Sequence, residues 1–90
     1  MNKYLVEFLG TMLLMFVILS TGNWLAIGLA LSIAILIGGN VSGGSFNPAV
    51  TIGLYATGKL AKSDVVPYII IEILGALAAF YAYKYYVNKS

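Results

Sequence analysis

The side chains best suited to chemistry in this sequence are the carboxyls of Glu7 and Glu72 and the carboxamide of Asn47. Each carboxyl falls inside a long apolar run, where an ionisable residue points to function and needs a partner. Asn47 closes a polar, glycine-rich lead-in within Ser42-Gly43-Gly44-Ser45-Phe46-Asn47-Pro48-Ala49-Val50-Thr51. A carboxamide donates through its NH₂ and accepts through its oxygen at once, which suits passing contact with a neutral solute better than bond breaking. The chain has no histidine and no cysteine. The commonest general base, a thiolate zinc site and a disulfide framework are therefore out of reach. With no nucleophile–base pair and no metal-ligand cluster, neither an enzyme nor a metal or cofactor is expected.

Composition sets the environment. Hydrophobic residues make up 61% and charged residues 9% of the 90 residues, against about a quarter charged in soluble domains. This predicts a multi-pass membrane protein in contact with the lipid bilayer, built as one unit over residues 1–90. The net charge of +2 is scattered, which argues against a nucleic-acid partner. The first apolar segment carries Glu7 and is too long for a signal-peptide core, so it reads as a mature helix.

The predicted fold class is all-α membrane: three transmembrane helices plus a re-entrant loop with a half-helix. Spans are expected at about 4–20, 24–39 and 65–86, with the loop and half-helix over 40–57. On the first span Glu7, Gly10, Thr11 and Leu14 share one face, and on the third Glu72, Gly75, Ala76 and Ala79 do so. On the second, Gly28, Ser32 and Gly39 line one side and Ala26, Ala30 and Ala34 another. Small residues at such spacings let helices approach closely in lipid, so Gly10, Gly28 and Gly75 read as packing positions. Ser63 or Asp64 is expected to cap the third span, with Pro67 in its first turn. Trp24 and Tyr81, Tyr83, Tyr85 and Tyr86 suit the membrane interface, with Lys84 and Lys89 reaching outward.

Asn47-Pro48 reads as a helix start, Asn at the N-cap and Pro at N1. The helix that follows, roughly 10 residues or ~15 Å, spans half of a bilayer core of ~30 Å. Irregular backbone at that depth is tolerated only when buried in protein or lining a water-filled cavity. The loop N–H groups need acceptors, and the two carboxyls lie at similar depth on the entry side, so Glu7 and Glu72 read as braces for the loop. The carbonyls of Gly43, Gly44 and Ser45 would form a ladder of acceptors beside the donor of Asn47. A rival reading makes the carboxyls a proton pathway.

The run Ser42–Thr51 resembles the first signature of the aquaporin and glycerol-facilitator family, centred on Asn47-Pro48-Ala49. Glu7 with Thr11 resembles that family's first-helix motif, Gly28 its small second-helix residue and Gly75-Ala76 its third-helix pair. The resemblance implies a passive channel for water or small neutral solutes such as glycerol. It places Ile27 and Val50 at filter-equivalent positions, with no filter arginine in this chain. Glu72 departs from the glutamine usual at its place. These residues correspond to one half of a family member, whose two halves are inverted repeats. The missing half would come from a second copy of the chain, inserted upside down within a larger homo-oligomer. Lys3, Lys59 and Lys62 on one side against Lys84 and Lys89 on the other is a weak topological bias, which permits dual topology. The alternative is a non-conducting subunit, or a half-channel needing a different partner chain.

Overall fold

The structure is a computed structural model and describes residues 1–88. Lys89, expected to reach outward at the interface, lies outside the described residues. The described residues form four α-helices: α1 (Lys3–Thr21), α2 (Trp24–Ser42), α3 (Pro48–Ala56) and α4 (Lys62–Ala82), the last continued by one π-helical turn, Tyr83–Val87. α1, α2 and α4 with its π turn are long and apolar enough to cross a bilayer, with mean hydropathies of 1.9, 2.0 and 2.0. The described chain measures 44 × 23 × 23 Å, long enough to span a hydrocarbon core of about 30 Å.

The helix ends follow local chemistry. The Asn2 side chain accepts from the N–H groups of Tyr4 and Leu5 at 2.7 and 3.4 Å. Asn23 accepts from Ala26 N–H at 2.9 Å. These caps satisfy donors that have no partner inside the helix. α2 runs three residues past its expected end, through Gly38 and Gly39, and stops at Gly43, which turns left-handed with φ +88°. α4 begins earlier than expected, at Lys62, and its N-cap is Ala61 with no side-chain cap. Ser63 and Asp64 therefore do not cap it. The Asp64 carboxyl is committed elsewhere: it accepts from Lys3 Nζ at 2.8 Å and from Tyr4 OH at 2.7 Å. Pro67 consequently falls inside the helix rather than in its first turn.

α1 is the central element. It packs against α2 on one side and α4 on the other, while α3 packs against α4. The Lys3–Asp64 ion pair puts the starts of α1 and α4 at one end of the bundle. The Tyr4 and Tyr68 rings meet edge to face there, 5.8 Å apart at 83°. Glu7, Gly10 and Thr11 form the buried face of α1, and Glu72, Gly75 and Ala79 lie on that of α4. In α2 the buried positions are Ala30, Ala34, Gly38 and Ser42. Gly28 is not a packing position within this chain: it is exposed, and a Cβ there would meet nothing within 4 Å. The buried face of α2 runs through Ala30, Ala34, Gly38 and Ser42, and Gly28 lies off it. Trp24 and Tyr86 are about four-fifths exposed, as interfacial anchors would be.

Gly75 is where α1 and α4 come closest. A Cβ on it would stand 2.6 Å from the Phe8 carbonyl oxygen and 3.2 Å from Thr11 Cβ. Backbone cannot rotate away, so Gly75→Ala must push the helices apart. We expect it to cost about 1–3 kcal/mol of stability, read as a lower unfolding midpoint in detergent. Gly28→Ala is the matched control and is expected to be neutral or slightly stabilising, through helix propensity alone.

Candidate functional site

The site is built around the segment between α2 and α3. Glu7 is fully buried. One of its oxygens, Oε1, accepts from Phe46 N–H at 2.7 Å. The other, Oε2, accepts from Ser42 Oγ at 2.6 Å and Ser45 N–H at 3.2 Å. Two successive backbone donors and a hydroxyl thus converge on one carboxyl. They converge because the backbone turns left-handed at Gly43, Gly44 and, unusually for a residue with a Cβ, Phe46 at φ +57°. That conformation is costly for a bulky residue and persists only where surroundings enforce it. Here the Phe46 N–H is held by Glu7 and the ring is buried with Val6 and Ala34. Gly10 makes room for the ring: a Cβ there would collide with Phe46 Cε1.

Glu72, also fully buried, reaches a different target. It takes no loop N–H. Its oxygens lie 3.0 and 2.8 Å from Thr51 Oγ1, on α3. Thr51 Oγ1 is in turn 2.5 Å from Ser45 Oγ, which donates to the Asn47 carbonyl at 3.2 Å. Glu7 therefore holds the loop directly, and Glu72 reaches it through two hydroxyls. Tyr68, which sequence reasoning did not single out, donates to the Ser42 carbonyl at 2.7 Å. Its only sequence signal was a tyrosine one helical turn before Glu72, on the same face. The positive φ of Phe46 had no signal beyond its place after Gly-Gly-Ser.

Asn47 caps α3. Its Oδ1 accepts from Ala49 N–H at 2.7 Å and its backbone carbonyl from Thr51 N–H at 2.9 Å. With the oxygen so used, its NH₂ makes no hydrogen bond among the described residues, and Asn47 and Ala49 are exposed while Pro48 is half-buried. The carbonyls of Gly43, Gly44 and Ser45 take part in no hydrogen bond among the described residues. Asn47 and Pro48 line an open, mostly apolar cavity of about 340 Å³, shared with Thr11 and Leu14 of α1 and Ile73 and Leu77 of α4. Ile27 and Val50 are not brought together within one chain, since α2 and α3 do not pack on each other. Ile27 is half-buried and Val50 exposed.

The donor count separates the two carboxyls. In Glu7→Gln the amide retains one acceptor oxygen, so at least one buried N–H of the loop loses its partner. We expect a cost of about 1–3 kcal/mol, seen as roughly tenfold or faster deuterium exchange at the Ser45 and Phe46 amides. Glu72→Gln is expected to change exchange there little, because the Thr51 hydroxyl can donate to an amide oxygen as well as to a carboxyl.

Comparison with known proteins adds the family. The model of the major intrinsic protein family matches residues 1–90. The chain is 43% identical over 97 residues to the glycerol uptake facilitator protein-like 6 of Lactiplantibacillus plantarum, covering 98% of this chain and 45% of that protein. It is 50% identical over 66 residues to aquaporin AqpM of Methanothermobacter thermautotrophicus, covering 69% of this chain and 27% of that protein. It is 41% identical over 95 residues to aquaporin Z of Brucella melitensis, covering 88% and 41%. The chain spans less than half the length of these relatives. With its three apolar helices and the match over its whole length, it is an integral, multi-pass membrane protein that belongs to the major intrinsic protein family.

Proposed function

We propose that this chain forms half of a passive membrane channel for water or small neutral solutes such as glycerol, and that a second, inverted copy supplies the other half. The observation that carries the reading is the end of α3: an exposed Asn47 whose oxygen is spent on the helix and whose NH₂ is left to donate. In aquaporin-type pores selectivity rests on pore diameter, on the lining donors and acceptors, and on the positive ends of half-helices. Each has a counterpart here. The N-terminus of α3 carries an effective charge of about +0.5, unfavourable to a cation. Asn47 donates to a passing oxygen, and the carbonyls of Gly43, Gly44 and Ser45 accept from a passing hydroxyl or water. Ile27 of one copy and Val50 of the other form an apolar constriction in place of a filter arginine. The loop and α3 dip into the bilayer and return, supported by the closeness of Ser42 to Glu7 and of Asp64 to Lys3. Glu7 and Glu72 brace this half-span and carry no protons across. The names of the relatives, aquaporin and glycerol uptake facilitator, support the same solute class.

An unpaired loop facing lipid would leave backbone polar groups without partners, each costing several kcal/mol. An inverted copy covers them, in the arrangement of inverted repeats around a midplane site. The weak lysine bias between the two ends permits insertion both ways up, and several such pairs would associate into a larger homo-oligomer.

The deciding experiment is osmotic water permeability and glycerol uptake of liposomes containing only this protein. Permeability well above that of empty liposomes is expected, reduced in Asn47→Ala. Background permeability from protein that is folded and inserted would overturn the self-paired channel and favour a different partner chain. A C-terminal tag reachable from one side only would overturn dual topology.

A further inference from the structure

We propose that Glu72 is held as a neutral acid and positions Asn47 at a distance: its carboxyl proton starts a one-way line of hydrogen bonds through Thr51 and Ser45 to the Asn47 carbonyl, and losing that proton reverses the line. The line stands on the fold of one chain, and only its effect on permeability rests on the reading of Asn47 as a pore donor.

The protons can be counted. Ser45 Oγ donates to the Asn47 carbonyl at 3.2 Å, Ser45 Oγ and Thr51 Oγ1 stand 2.5 Å apart, and Thr51 Oγ1 lies 2.8 Å from the nearer Glu72 oxygen. Each of these three contacts needs one proton between its oxygens, and Ser45 and Thr51 bring one each. The carbonyl can only accept, so the Ser45 proton is spent on it. Thr51 must then donate to Ser45, and the third proton comes from Glu72. An ionised Glu72 can only accept. It turns the Thr51 hydroxyl toward itself and the Ser45 hydroxyl toward Thr51, and the Asn47 carbonyl loses one of its two donors, keeping Thr51 N–H.

The surroundings assign the proton to Glu72 rather than to Glu7. The two carboxyls are neighbours and both are fully buried. Like charges at one apolar site do not both ionise cheaply. Glu7 is met by three donors, the Ser42 hydroxyl and the N–H groups of Ser45 and Phe46, which solvate a negative charge. Glu72 is met by a single hydroxyl, which accepts as readily as it donates. No cation stands beside either one among the described residues. On α1 Lys3 and Tyr4 are committed to Asp64 of α4. Tyr68 of α4 is bonded to the Ser42 carbonyl. α3 turns Thr51 to Glu72, and its ionisable side chain, Tyr55, is exposed, as are Lys59, Lys62 and Lys84. The tyrosines of the π turn begin roughly 16 Å along the helix from Glu72.

The test compares the whole chain in liposomes with Glu72→Gln, whose NH₂ donates to Thr51 at every pH. At about pH 7, where an ordinary glutamic acid is ionised, the infrared carbonyl stretch of a protonated carboxyl is expected in wild type and is expected to vanish in Glu72→Gln. The acidic side chains are three, Glu7, Asp64 and Glu72, so the assignment is direct. As pH is raised the band is expected to be lost, the carbon-13 resonance of the Asn47 carbonyl to shift and osmotic permeability to fall, all at one midpoint. Glu72→Gln is expected to show neither the shift nor the fall, although Tyr4, Tyr68 and the lysines titrate in both proteins. Ser45→Ala keeps the N–H that Glu7 holds and removes the last link, so its band is expected to titrate while its Asn47 resonance stays still. A wild type without the band at about pH 7, or a band that survives in Glu72→Gln, overturns the neutral acid. A band that titrates in wild type without moving the Asn47 resonance overturns the line. If band and resonance titrate together while permeability stays at background at every pH, the line stands and the channel reading is overturned.

Discussion

The buried carboxyl of Glu7 is the constraint on which the rest depends. A segment that leaves regular structure inside an apolar environment must place each N–H and C=O against a partner. Ser45 and Phe46 solve the donor half by aiming two consecutive N–H groups at Glu7, with Ser42 adding a hydroxyl. The carboxyl is paired three ways and carries no cation beside it. Its solvation is supplied by the loop it holds. Neither loop nor carboxyl is stable in that place without the other, which makes the pair a mutual requirement rather than a surface ion pair of small worth.

Everything around this contact serves closeness. In lipid the drive to pack helices is not hydrophobic burial, because acyl chains are as apolar as leucine, so fit decides. Gly75 lets α4 approach the backbone of α1, and Gly10 admits the Phe46 ring. That ring is buried where the chain turns at a left-handed residue, just before Asn47. A second set of contacts, from Glu72 through Thr51 and Ser45 to the Asn47 carbonyl, ties the start of α3 to α4. Tyr68 fastens the end of α2 to α4 at Ser42. Three helices thereby converge on five residues of irregular chain, and α3, which follows, is oriented by side chains rather than by its own length. The cavity beside its tip is left open.

The sequence by itself determined the class of the molecule. Runs of apolar residues longer than a soluble helix needs can be satisfied only in a bilayer, and Asn-Pro after a glycine-rich turn can hardly be other than a helix start. The faces carrying Glu7, Gly10 and Thr11, and Glu72 and Gly75, were legible because helical spacing is a local rule. The family was legible too, from the Ser42–Thr51 run.

Tertiary structure alone decided which partner each polar group meets. Sequence could not tell that Asp64 would spend its carboxyl on Lys3 and Tyr4 instead of capping α4, since the competing donors lie some sixty positions away. It could not divide the work between Glu7 and Glu72, because both are carboxyls at one depth and only the approach of α1 and α4 sets which reaches the loop. It could not tell that Gly28 meets no other helix within this chain, since a small residue marks a close approach only where a helix is there to approach. Propensity and spacing act along the chain, whereas hydrogen-bond partners and contact faces are settled by the three-dimensional competition among donors, acceptors and volume.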